Sequence, residues 1–109
     1  MNKYNKYGFV SGGATFDAMD RYALRQLNAE HPETDHENWF TASAEVCFNK
    51  QICPDTKVVY SADIERRGDI AYIDVSAKDC DSGIELATIC FTFKKAHSNY
   101  CEIKGQNNG

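Results

Sequence analysis

Between Thr41 and Lys94 apolar and polar residues alternate in four successive runs, each parted from the next by a turn. A period of two sends every second side chain to one face of an extended strand, so each run can bury one face and wet the other. Thr41 to Asn49 carries Ala42, Ala44, Val46 and Phe48 in phase, and Lys57 to Arg67 carries Val58, Tyr60, Ala62 and Ile64. Ile70 to Lys78 carries Ala71, Ile73, Val75 and Ala77, and Ile84 to Lys94 carries Ala87, Ile89, Phe91 and Phe93. The separators Cys53-Pro54-Asp55, Arg67-Gly68-Asp69 and Asp81-Ser82-Gly83 have turn-forming compositions. Links this short join antiparallel neighbours, so the runs predict a largely antiparallel sheet.

The apolar face of that sheet needs a second layer. The stretch from about Ala14 to Ala29 supplies it, because Phe16, Met19, Ala23, Leu24 and Leu27 recur three and four apart on one helical face. Ser11-Gly12-Gly13 precedes it; Ser11 can cap the helix, and the glycines permit close approach there. The first ten residues, ending Gly8-Phe9-Val10, read as a brief opening strand, and Glu30 to Asn38 as a polar loop. The order is α+β: one helix against a sheet of about five strands, in a single domain over residues 1–96 with a polar tail over 97–109.

The chain has 109 residues and a net charge of -4, and its only adjacent basic pairs are Arg66-Arg67 and Lys94-Lys95. That is no basic stripe for a duplex, so no nucleic-acid partner is expected. No apolar run is long enough for a membrane span. The five cysteines include no C-x-x-C pair, and Cys47 and Cys90 lie inside alternating runs, where they are expected as small core residues. With no signal segment, a reducing compartment is expected, the cytoplasm. His31 and His36 share the polar loop with Glu33, Asp35 and Glu37, read as a solvated segment, and no metal is expected. Arg67-Gly68-Asp69 is read as a hairpin tip, and His97 is given no role. A chain this short buries a limited core, so association with a second copy is expected to help.

The motifs resemble those of the hotdog-fold 4-hydroxybenzoyl-CoA thioesterase superfamily, in its PaaI-like branch. Asn5 through Gly13 is similar to that family's active-site loop, which commonly reads Asn, five residues, then His-Gly-Gly; Ser11 stands at the histidine position. An acid follows seven residues beyond the second glycine, here Asp20. Ala44 to Phe48 resembles the family's second strand, and Arg66-Arg67-Gly68 its basic hairpin. The resemblance covers about Asn5 to Lys94. It implies a curved antiparallel sheet around a central helix, copies joined edge to edge as a dimer or tetramer, and an acyl-CoA substrate with no separate cofactor.

It also implies roles. Thioester hydrolysis needs a nucleophile, usually water, and stabilisation of charge on the carbonyl oxygen. The amide of Gly12 at the helix start is the expected oxyanion donor, with Gly13 and Ser11 beside the substrate. Asp20 is the expected general base or direct nucleophile, placed across the subunit seam from the glycines. Asn5 is expected to orient water or the carbonyl, and Thr41 to help hold the water. Arg66, Arg67 and Gly68 are expected at the CoA phosphates. A non-catalytic acyl-CoA-binding protein is the alternative, favoured by Ser11 in place of histidine. A hotdog dehydratase is disfavoured because His31, His36 and His97 fall outside the expected positions.

Overall fold

A computed structural model describes residues 3–97. Helix α1 spans Gly12–Glu30, and strands β1 (Glu37–Phe48), β2 (Val58–Arg67), β3 (Ile70–Asp79) and β4 (Glu85–His97) follow. The strands form one antiparallel sheet in the order β1-β4-β3-β2, with β1 and β2 at the edges. This is the hotdog arrangement, with α1 laid on one face of the sheet. Among the described residues no helix is long and apolar enough to cross a membrane.

The helix starts at Gly12 because Ser11 caps it, its Oγ accepting from the Ala14 amide at 3.1 Å. At the far end the His31 N–H donates to the Leu27 carbonyl at 2.7 Å. Met19, Ala23 and Leu27, four apart, are fully buried and meet the inner face of β3 and β4. That face is Ala71, Ile73, Val75 and Ala77 on β3 with Ala87, Ile89, Phe91 and Phe93 on β4, the alternation read in the sequence. Phe91 lies at the centre, its ring 5.7 Å from Phe16 and 5.6 Å from Phe93.

Several expectations are corrected. Among the described residues the expected opening strand is reduced to isolated bridges, and the sheet has four strands, close to the five or so expected. Tyr4 makes one bridge to Val10, and Val10 one to Ile52. Between them the Asn5 side chain accepts from the Tyr7 and Phe9 amides, and Gly8 takes φ 83°, so the chain curls where a ladder would have to run straight. Cys47 and Cys90 are exposed rather than core residues, because Val46, Phe48, Ile89 and Phe91 hold the inward parity on either side of them. His97 is the last residue of β4 and not part of a tail. Cys101 and the rest of the expected tail lie outside the described residues.

Strand β1 begins at Glu37, four residues before the expected Thr41, and its register shifts between Thr41 and Ser43. The shift is a bulge, in which one extra residue re-aims the side chains before it. Thr41 pairs with Phe93 and Ala44 with Phe91, so Thr41 shares the inner face with Ala44, Val46 and Phe48, and Ala42 falls out of that phase.

Candidate active site

Asp20 projects from the side of α1 nearest β1. Its Oδ1 accepts from the Thr41 hydroxyl at 2.6 Å. The bulge makes this contact possible, since unbroken alternation would have sent Thr41 to the outer face when Ala44 and Val46 face inward. Thr41, expected to help hold the water, therefore meets Asp20 directly within one chain. A hydroxyl that donates to the carboxylate fixes its rotamer and leaves Oδ2 to accept a proton.

The edge beside this pair is uncovered. Val46 and Phe48 face the helix side of the sheet yet are 37% and 51% exposed, because α1 lies over the middle strands. Outward-facing Phe40 is 44% exposed. An unpaired strand edge with apolar side chains is a surface that proteins ordinarily pair or cover.

Gly12 and Gly13 form the first turn of α1, where amides lack partners inside the helix. Ser11 takes up the Ala14 and Thr15 amides, through its Oγ and its carbonyl respectively. Neither glycine amide has a hydrogen-bond partner among the described residues, so two donors at the positive end of the helix dipole remain open. Gly12 lines a cavity of about 340 Å³ together with Asn5, Thr15, Phe48 and Lys50. A Cβ at Gly12 would lie 3.1 Å from the Phe48 ring, so glycine is what allows that ring its close approach. Phe48 as a wall of the glycine cavity was not foreseen. Nothing local marks it, since its contact with Gly12 spans the whole helix-to-strand connection.

Other expected residues divide. Asn5 lines the glycine cavity, but its side-chain oxygen is held by the Tyr7 and Phe9 amides, so its first role is to shape the loop. Ser11 is the helix cap. Gly68, at φ 61°, turns the hairpin between β2 and β3, and Arg66 and Arg67 point to opposite faces. Arg66 lies over the Trp39 ring at 5.4 Å and contacts His31 Nδ1 at 3.1 Å; Arg67 pairs with Glu65 on the outer face at 2.8 Å. Both are remote from Gly12 in the same chain, near the opposite end of α1.

Within one chain Asp20 and Gly12 do not meet. Eight residues of helical rise separate them by about 12 Å along the axis, whereas a base and an oxyanion donor must flank one reacting carbon at about 3 Å each. Among the described residues no group of three or more His, Cys, Asp or Glu side chains is placed to hold a metal. The exposed Cys90 thiol is no ready nucleophile. Its hydrogen bond with Asp74, with burial and the Glu45 charge, raises it above its ordinary value.

No protein-family profile matches the chain, and no curated protein matches it. Solved structures do. A Streptococcus mutans protein bound to acetyl-CoA superposes with a TM-score of 0.74 at 17% identity, over 89% of this chain and 74% of that one. The E. coli PaaI protein of the phenylacetic acid degradation operon gives 0.73 at 12% identity, over 84% and 66%. A 1,4-dihydroxy-2-naphthoyl-CoA thioesterase from Synechocystis gives 0.72 at 14% identity, over 87% and 81%. At such identities the likeness is one of fold.

Proposed function

We propose that this chain, with its hotdog fold, hydrolyses an acyl-CoA thioester of small or medium acyl group, and that each site is built by two copies. The observation that carries the reading is the Asp20 carboxylate, held by Thr41 beside the uncovered edge of β1 and out of reach of its own Gly12. A second copy paired along β1 would cover Val46 and Phe48 and bring a foreign glycine turn towards Asp20. The fold neighbours that carry thioesterase names, and the one bound to acetyl-CoA, support the same substrate class.

In this scheme Asp20 takes a proton from water as the water oxygen bonds to the thioester carbon. Charge gathers on the carbonyl oxygen, where the Gly12 amide of the other copy donates to it. The carbon–sulfur bond then breaks, and the CoA thiolate leaves and is protonated. Thr41 keeps the Asp20 carboxylate oriented, and Asn5 and Ser11 hold the loop that presents the glycines. Arg67, exposed at the hairpin, is the better placed of the two arginines to meet a phosphate, because Arg66 is folded onto Trp39.

Thiol release from a panel of short, medium and aromatic acyl-CoAs tests the reading. At least one is expected to turn over, and Asp20→Asn to lose roughly 10²–10⁴-fold in kcat, the range of a general base. Turnover by no member of the panel, or full activity in the Asp20→Asn variant, would overturn it. One observation favours a second reading, a non-catalytic acyl-CoA-binding protein: Ser11 stands at the histidine position and spends its oxygen on the helix cap. Saturable acyl-CoA binding without thiol release would select that alternative.

A further inference from the structure

We propose that a two-lobed groove between α1 and β2 binds an amphipathic organic anion, its carboxylate or phosphate head held by Lys3, Arg21 and Arg25. The outer lobe is a cavity of about 470 Å³. Ala14 and Ala18 form its helix wall, Tyr60 of β2 its opposite wall, and the three cations surround the opening. The inner lobe, about 290 Å³, shares Lys3, Ala14, Ala18 and Tyr60 with the outer one and continues along Val10, Ile52, Pro54 and Val58. Charge therefore gathers in the outer lobe, while the inner one has Lys3 as its one charged residue and sets its apolar side chains beside Thr15 and Thr56.

The charge balance favours an anion. Arg21 is paired with Asp17 at 3.0 Å, while Arg25 has no ion pair among the described residues. Three cations against one acid leave a positive opening on a chain whose net charge is -4. Guanidinium groups match carboxylate and phosphate oxygens with forked hydrogen bonds. Tyr60 adds a neutral donor: burial pushes its phenol up, so it stays protonated, and the Tyr22 ring 5.4 Å away fixes its orientation. Exposed cations alone bind weakly because salt screens them, so the Val10, Ile52, Pro54 and Val58 side chains of the inner lobe are what make the ligand amphipathic rather than a bare ion.

The groove is distinct from the Asp20–Thr41 pair, although its inner lobe shares Val10, Thr15 and Ile52 with the glycine cavity. Ala18 lies two residues before Asp20, about 200° around the helix, and Arg25 five residues after it, about 140° around. The proposal does not rest on the hydrolase reading.

Titration of the full-length protein, followed by the methyl resonances of Ala14 and Ala18, tests it. Hexanoate or hexyl phosphate is expected to give a saturating shift, and the pair tells a carboxylate head from a phosphate head. Inorganic phosphate and hexanol, each offering half of the ligand, are expected to bind roughly tenfold more weakly or less. The exposed double variant Lys3→Gln with Arg25→Gln is expected to weaken the amphiphile by roughly tenfold, and Asp20→Asn to leave binding unchanged. No saturating shift in the unsubstituted protein, equal binding by the double variant, or loss of binding in Asp20→Asn would overturn the assignment.

Discussion

Thr41 of β1 donates its hydroxyl to Oδ1 of Asp20 on α1 across 2.6 Å, so the edge strand and the helix meet at one short charge-assisted hydrogen bond. Thr41 is exposed and Asp20 half-buried, which makes the bond worth little to stability and much to orientation.

Thr41→Val is therefore expected to change stability by about 1 kcal/mol or less, to lower kcat with little effect on KM, and Thr41→Ser to restore the rate. Steady-state hydrolysis kinetics beside thermal denaturation would separate the two effects. Full kcat in Thr41→Val would remove Thr41 from the site.

Gly12→Ala brings a Cβ to 3.1 Å from a Phe48 ring that is half-exposed and able to swing away. The melting temperature is expected to hold within a few degrees, about the shift of a sub-kcal/mol change. Activity is expected to fall, because the new methyl crowds the approach to the amide. Adding Phe48→Ala should relieve the contact without returning the rate.

If one site draws on two copies, mixing inactive Asp20→Asn protein with inactive Gly12→Val protein should regenerate one intact site in each mixed pair. Activity that rises after subunit exchange is the expected result. Val46→Lys, which charges the uncovered edge of β1, should shift the protein towards monomer in sedimentation and abolish activity in parallel.

His97 carries the pH dependence. Its Nε2 meets Asp69 at 2.6 Å and its Nδ1 meets Glu37 at 3.1 Å, tying the end of β4 to the β2–β3 hairpin and the start of β1. The Asp69 hydrogen bond and charge, with Glu37, raise the imidazole above its ordinary value, and His97 in turn lowers Asp69, with Lys95 and Arg66 adding to that. A raised histidine contributes fully below its unfolded pKa of about 6.5 and loses the contribution as pH rises through the folded value; a lowered aspartate contributes above about 3.9 and loses it as pH falls through the folded value. The melting-temperature gap between wild type and His97→Gln should then be widest between about pH 4 and 6.5 and close in alkali. A gap that does not vary with pH would rule this out.

Phe91→Ala removes a fully buried ring wedged between Phe16 and Phe93. The expected cost is about 3–5 kcal/mol, read as a drop in the midpoint of urea unfolding with the slope unchanged.

The sequence by itself determined the layers. Ile73, Val75, Ile89 and Phe91 alternate against polar neighbours, and Met19, Ala23 and Leu27 recur at helical spacing, because periodicity follows from backbone geometry and needs no knowledge of partners. The expectation of buried Cys47 and Cys90 ran against that same alternation, which sets each between two inward residues and so on the outer face. Tertiary structure decided the rest. The bulge after Thr41, the insertion of β4 between β1 and β3, the Phe48 ring against Gly12 and the folding of Arg66 onto Trp39 all join residues far apart in the chain. Such contacts are selected by how packed surfaces fit together, and no local pattern encodes them.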